Sequence, residues 1–253
     1  MKKEAIIEVK NLTMGYGKRV VQKDLNFTIN KGEVFVILGG SGCGKSTLLK
    51  HLIGLYNPFS GSIKIKGNQI SNAPLSAKRK LMQEFGVLYQ SGALLGGLTL
   101  AENVSLPLEE FRNYSKKERA LIIDEKLDLV DLKEFRNYFP AEISGGMKKR
   151  AGLARAMALT PDLLFFDEPS AGLDPISSAS LDQLILDLRD KLKTTMVVVT
   201  HELDSIYTIA DRAIVLDATT KTIIERGDPR VLKDASENPW VRDFLNRSGK
   251  RGY

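Results

Sequence analysis

Nine consecutive residues, Gly39-Gly40-Ser41-Gly42-Cys43-Gly44-Lys45-Ser46-Thr47, carry the clearest chemistry in this 253-residue chain. They fit G-x-x-x-x-G-K-[ST]. Glycines leave room for backbone N–H groups to turn inward onto a phosphate. A helix opening at the lysine adds its unpaired donors and the positive end of its dipole. Lys45 supplies a point charge for the β- and γ-phosphates, and Ser46 a hydroxyl ligand for Mg²⁺. The plain alternative is a glycine-rich turn before a helix. The flanks argue against it: Val34-Phe35-Val36-Ile37-Leu38 reads as a buried parallel strand and Leu48-Leu49-Lys50-His51-Leu52-Ile53 as the start of a helix. Strand, loop and helix in that order imply a nucleoside triphosphate site.

A second constellation is Leu163-Leu164-Phe165-Phe166-Asp167-Glu168. Four apolar residues followed by two carboxylates put the acids at the C-terminal end of a buried strand, the edge where open α/β sheets gather ligands. Asp167 suits Mg²⁺, directly or through water, and Glu168 suits orienting and deprotonating an attacking water. A third is Ser144-Gly145-Gly146, ahead of Met147-Lys148-Lys149-Arg150. Ser144 reads as an N-cap and the glycines expose N–H groups, which makes a second anion site on a helix start. A capped helix after a tight turn is the other reading. Two anion sites with one lysine loop are odd for a self-contained monomer.

The elements that must position these groups follow from periodicity. The first thirty or so residues alternate apolar and polar, with turns at Gly15 to Lys18 and at Asn30-Lys31-Gly32, which predicts antiparallel strands. Further strands are expected over residues 61–67, 86–89, 163–166, 196–200, 213–216 and 222–224. A short polar helix is expected over 76–84. Residues 92–158 are helical in character, including 116–129 and 148–158. Residues 178–191 form an amphipathic helix with Leu181, Leu184, Ile185 and Leu188 on one face. Strands alternating with helices imply a parallel sheet covered on both faces. A mostly helical segment is inserted between the lysine loop and the Leu163 strand.

Hydrophobic residues make up 43%, enough for a substantial core. No stretch approaches the ~20 apolar residues of a membrane span, and the N-terminus lacks the apolar core of a signal peptide. The single cysteine, Cys43, cannot form an internal disulfide, which suits a reducing compartment. Its place in the loop predicts sensitivity to thiol reagents. The net charge of +6 and pI near 9.2 fit a basic soluble protein, and also attraction to an anionic membrane leaflet or nucleic acid.

Ser144-Gly145-Gly146 some twenty residues before Asp167-Glu168, with the lysine loop upstream, resembles the ATPase subunit of an ABC transporter. The other family motifs fall in order. Gln90 matches the Q-loop glutamine, Ala171-Gly172-Leu173-Asp174-Pro175 the D-loop, His201 the switch histidine and Tyr16 the aromatic residue that stacks on adenine. The resemblance runs from about residue 5 to 227. It implies an α/β P-loop NTPase core with a small antiparallel β-subdomain and an inserted all-helical subdomain (92–158), followed by a C-terminal extension (228–253). It implies ATP and Mg²⁺ as cofactors, with Gln90 joining Ser46 and Asp167 at the metal. Lys45, Gln90, Glu168 and His201 would form the catalytic set. The nucleotide contacts would be Tyr16, Gly39, Gly40, Ser41, Gly42, Cys43, Gly44, Lys45, Ser46, Thr47 and Asp174, with Ser144, Gly145 and Gly146. The family works as a head-to-tail homodimer in which Ser144-Gly145-Gly146 serves the partner's ATP.

The chain departs from the family at Met147, where glutamine is usual. With Tyr89-Gln90-Ser91-Gly92-Ala93-Leu94 and Pro169-Ser170-Ala171-Gly172-Leu173-Asp174-Pro175, this is similar to the ATPases of Mla-type transporters. Those act with integral-membrane permeases and MCE-domain proteins to move phospholipids between membranes of diderm bacteria, from the cytoplasmic face of the inner membrane, and can bind a small regulatory protein. Residues 91–106 are the expected permease contact; a flexible loop with buried leucines is the alternative. No nucleic acid partner is expected. A soluble ABC-type ATPase on nucleic acid or ribosomes commonly has two cassettes or a coiled-coil insertion, absent here. A GTPase would need N-K-x-D, and Asn30-Lys31-Gly32-Glu33 misses it. A kinase leaves Ser144-Gly145-Gly146 unexplained. An ABC transporter of another solute is the runner-up. In the extension, residues 239–245 read as a short amphipathic helix with Trp240, Phe244 and Leu245 on one face. They would pack on this chain or a second copy, with Arg247, Lys250 and Arg251 at its basic end.

Overall fold

A computed structural model describes residues 4–247. Strands β1 (Ala5–Tyr16) and β2 (Arg19–Asn30) form an antiparallel hairpin across Gly17-Lys18. Ile7, Val9, Leu12 and Met14 of β1 and Leu25, Phe27 and Ile29 of β2 are buried, as an alternating pattern requires. After β3 (Val34–Gly39), β4 (Ser60–Ile65) and β5 (Asn68–Gln69) complete a four-stranded antiparallel sheet in the order β2-β1-β4-β5. The main sheet adds β6 (Phe85–Leu88), β7 (Leu163–Asp167), β8 (Thr195–Val199), β9 (Arg212–Leu216) and β10 (Ile223–Gly227). Its order is β10-β9-β3-β8-β7-β6, parallel throughout except for the antiparallel edge strand β10.

β3 is buried on both faces, and its side chains divide with period two. Val34, Val36 and Leu38 join the core beneath the helical layer. Phe35 and Ile37 join a second core shared with the antiparallel sheet and with α1 (Lys45–Leu52). Phe165 and Phe166 of β7 split the same way, and both are fully buried. Each such side chain contributes about 1.5–3 kcal/mol by leaving water.

The helices are α2 (Leu75–Leu81), α3 (Leu100–Phe111), α4 (Lys116–Asp128), α5 (Gly145–Ala156), α6 (Pro175–Leu192), α7 (Leu203–Ile209), α8 (Pro229–Ala235) and α9 (Pro239–Leu245). The segment 91–106 divides at Thr99. A capping box between Thr99 and Glu102 starts α3 there. The preceding loop is pinned rather than flexible: the buried Asn103 amide donates to the carbonyls of Leu95, Leu98 and Thr99 and accepts from Leu95 N–H. α5 starts at Gly145, ahead of the expected 148, because Ser144 caps it by accepting from Met147 N–H at 3.2 Å. Asp174 caps α6 in the same manner, so that helix starts at Pro175 rather than 178.

The extension after 227 is packed on the domain. Leu232, Val241 and Leu245 belong to its main core. The expected face of Trp240, Phe244 and Leu245 is divided. Leu245 and Val241 go inward, while Trp240 stacks on Phe244 at 5.2 Å toward the surface. A one-turn spacing puts 240 with 244 and 241 with 245, leaving 240 and 245 on different stripes. Arg247 pairs with Asp204 at 3.0 Å. Lys250 and Arg251 lie outside the described residues.

Asp182 of α6 is 4% exposed and meets Ser205 of α7, whose hydroxyl donates to it at 2.7 Å; its other oxygen has no partner. Burial, aided by the nearby Asp204 charge, pushes the Asp182 carboxyl up to about 6. A raised acid pKa means the folded state holds the proton more tightly, so stability falls as pH rises from about 4 through 6. Asp182→Asn removes that charge. We expect the variant to gain about 1.4 kcal/mol over the wild type at pH 8 relative to pH 5, measured by urea unfolding. A stability gap equal at both pH values would contradict this.

Candidate nucleotide site

One cavity of about 630 Å³ opens at the C-terminal ends of β3 and β7, within the size range of small-molecule sites. Its floor is the loop between β3 and α1. Gly39 ends β3 at φ 147°, and a Cβ there would lie 2.4 Å from the Leu216 carbonyl oxygen, so only glycine fits. Gly39, Gly40, Ser41, Gly42, Gly44, Lys45, Ser46 and Thr47 all line this space. Lys45 Nζ donates to the carbonyls of Gly39 at 2.9 Å and Gly40 at 3.2 Å, which holds the ammonium across the loop mouth. An ammonium has three donors, so one remains for a phosphate oxygen.

Cys43 differs from expectation. Its side chain is 1% exposed, in the core behind the loop, and burial raises its thiol pKa. Only its backbone is available to a nucleotide, and a buried, protonated thiol is inert. The expected sensitivity to thiol reagents is therefore corrected.

Ser46 Oγ donates to Asp167 Oδ1 at 2.9 Å, which ties α1 to the end of β7. Hydroxyl and carboxylate are hard oxygen donors. No group of three or more His, Cys, Asp and Glu side chains able to hold a metal occurs among the described residues. The Ser46 hydroxyl and the Asp167 carboxylate fit Mg²⁺, which takes one or two protein oxygens and completes its shell with water and substrate phosphates. Gln90 lines the main cavity and also an adjoining hollow with Asp167, Lys50 and Tyr89.

Glu168 and His201 line the cavity opposite the loop. The Glu168 side chain is 13% exposed, and His201 Nδ1 lies 2.9 Å from its Oε2. The contact lacks hydrogen-bond alignment, so that buried oxygen has no hydrogen-bond donor among the described residues. An unsatisfied carboxylate oxygen at the cavity wall can accept a proton from water. Tyr16, half exposed at the end of β1, forms the far wall with Arg19, Val20 and Val21.

Ser144, Gly145, Gly146 and Asp174 do not line this cavity. Ser144 and Gly145 are exposed at the start of α5, and Gly146 faces Ser177 and Leu173. The Asp174 carboxylate accepts from Ile176 and Ser177 N–H and from the Ser177 hydroxyl. Those hydrogen bonds hold its pKa below the usual carboxylate value, the Ser177 side chain most of all.

Sequence reasoning missed several lining or supporting groups. Gln22, fully buried in β2, donates to Cys43 O at 2.7 Å and Asp217 O at 2.9 Å, which fastens the loop to the β9–β10 turn. Ala218, Lys221 and Phe244 reach the rim from 170 or more residues beyond Tyr16 and the loop. A polar residue on an inward position of β2 was the one signal for Gln22; none existed for Phe244.

A parallel sheet with a glycine-lysine loop at the end of β3 and two acids at the end of β7, one strand removed across β8, defines a P-loop nucleoside triphosphatase. Residues 22–171 match the ABC transporter family, and the chain belongs to it. It is 43% identical over 240 residues to the probable ribonucleotide transport ATP-binding protein Mkl of Mycobacterium leprae, covering 95% of this chain and 68% of that one. It is 40% identical to MlaF of Haemophilus influenzae, the ATP-binding protein of an intermembrane phospholipid transport system, over 92% of both chains. Its fold superposes with a TM-score of 0.79 on the dimeric ATP-binding cassette MJ0796 in a post-hydrolysis state bound to ADP and Pi. The two are 30% identical, over 88% of this chain and 98% of that one. The chain is an ABC ATPase, and its α/β fold is that of the family.

Proposed function

We propose that two copies of this chain close over two Mg-ATP molecules and drive lipid transport between bacterial membranes, docked on integral-membrane permeases at the cytoplasmic face of the inner membrane. The adenine stacks on Tyr16, and the Gly39–Thr47 backbone and Lys45 hold the phosphates. Ser46, Asp167 and Gln90 would hold Mg²⁺, which when bound supplies positive charge against the β- and γ-phosphates. Glu168 takes the proton of the attacking water, and His201 sits between it and the γ-phosphate. Ser144-Gly145-Gly146, remote from the chain's own cavity, offers N–H donors to the partner's γ-phosphate, and Asp174 stands beside them.

Match along 92% of both chains to the phospholipid transport protein MlaF is the observation that carries the lipid reading. Met147 and the stretches around Gln90 and Ser170 support it, and bring with them an MCE-domain protein and a small regulatory protein as partners. A shallow hollow lined by Leu98, Ala101, Leu106 and Glu109 fits a short permease helix. The similarity to Mkl, named as a probable ribonucleotide transport protein, favours a second reading, transport of a nucleotide-like solute by the same ATPase chemistry.

Purification of the tagged chain from detergent-solubilised membranes, followed by mass spectrometry, separates the two. A multi-span permease with an MCE-domain protein is the expected catch. A permease with a soluble solute-binding protein would move the assignment to the second reading. Recovery of ribosomes or DNA without membrane protein would overturn the transporter assignment.

A further inference from the structure

Glu168 is a non-glycine residue at φ 51°, in the left-handed region. Such a conformation costs about 1 kcal/mol or more and persists only where surrounding bonds fix it. Its N–H donates to Val199 O at 2.8 Å, which fixes one side. Its carbonyl accepts from Ala171 N–H at 3.2 Å, and also from Lys149 Nζ at 3.2 Å. The lysine comes from α5, outside the strand-loop segment that carries Glu168.

Lys149 is unusual in its own right. It is 6% exposed, and its ammonium donates to that main-chain carbonyl. Burial lowers its pKa, and the Glu168 charge opposes the shift. A long flexible cation is buried this deeply at a cost in desolvation and side-chain entropy. Its neighbours on α5 are held by other elements. Arg150 donates to Val130 O, Asp131 and Ser180 Oγ. Arg155 donates to Gly92 O at 2.9 Å and Ala93 O at 2.7 Å. Gly152 brings α5 against the same segment; a Cβ there would lie 2.9 Å from Gly92 O. The helix is thus fixed to the segment after Gln90, and Lys149 is its link to Glu168.

We infer that Lys149 is a positioning residue for the general base: it fixes the strained Glu168 backbone so that the carboxylate faces the attacking water. It also ties the Glu168 main chain to the helix whose first turn meets the partner's nucleotide. The inference rests on the reading of Glu168 as the base. Nothing in it requires Lys149 to touch ATP. Its loss acts on turnover and leaves nucleotide affinity alone.

The test compares Lys149→Met, Lys149→Arg and Glu168→Gln as full chains, with steady-state ATPase kinetics and melting midpoints. Methionine keeps the apolar stem and removes the ammonium. Replacing an isolated buried cation by an apolar side chain does not by itself destabilise a fold. Lys149→Met is expected to lower kcat about tenfold or more, with KM for ATP within about twofold and an unchanged melting midpoint. Lys149→Arg keeps a donor for the carbonyl and is expected to restore kcat to within about threefold of wild type. Wild-type kcat in Lys149→Met beside an inactive Glu168→Gln would overturn the inference and leave the base assignment standing. A loss that follows a lowered melting midpoint, or that arginine does not relieve, would also overturn it, as the effect would then be one of folding. Wild-type kcat in Glu168→Gln would remove the base assignment itself.

Discussion

Glu168→Gln is expected to lower ATP turnover by about 10²- to 10⁴-fold, the usual contribution of a positioned general base. The amide keeps the size of the carboxylate and its contact with His201, 2.9 Å away, but cannot take a proton. ATP affinity is expected to stay within about threefold of wild type, because the proposed role of the carboxylate is toward the attacking water and not the phosphates. The chain contains one tryptophan, Trp240, stacked on the cavity residue Phe244, so its fluorescence reports nucleotide binding directly. Turnover is read as phosphate release under saturating Mg-ATP. Turnover within tenfold of wild type would show that another group takes the proton.

Lys45→Met is expected to act on the other parameter. The ammonium is the one side-chain cation of the glycine loop and is held across its mouth by Gly39 O and Gly40 O. Its hydrogen bond to an ionised phosphate is worth about 1.5–3 kcal/mol, so ATP affinity should fall roughly 10- to 100-fold. Turnover should fall further, because negative charge grows on the leaving oxygen as its bond to the γ-phosphorus lengthens. The thermal midpoint should be nearly unaffected, since the side chain lies at the cavity surface. Equal ATP affinity in the fluorescence titration would contradict its place at the phosphates.

The parts of the site written in contiguous sequence were legible before the fold was known. A five-residue apolar run fixed the strand before the glycine loop, and four apolar residues fixed the strand before Asp167 and Glu168. The capping signal at Ser144 also held, although the helix it caps begins at Gly145 and not at the expected 148. Contacts made across the fold were not legible. Gln22 and Lys149 are ordinary polar residues in sequence, and each matters because β2 and α5 bring it to a loop or a carbonyl far along the chain. Phe244 reaches the cavity only because α9 folds back on the core. Cys43 was misjudged for the same reason, since whether a loop side chain faces the cavity or the core depends on the sheet behind it. The strand order β10-β9-β3-β8-β7-β6 likewise depends on long-range pairing that no local pattern specifies.

In the proposed mechanism, Ser144-Gly145-Gly146 serves the nucleotide of a second copy. Light scattering of Glu168→Gln, with and without Mg-ATP, tests it most directly. Hydrolysis is blocked in that variant, so the closed pair should accumulate. Mg-ATP should double the molar mass, and the added change Ser144→Arg, which puts a bulky cation at the exposed start of α5, should abolish the doubling while leaving the Trp240 binding signal intact. A mass indifferent to Mg-ATP, or a doubling that Ser144→Arg leaves unchanged, would contradict a nucleotide shared between two copies.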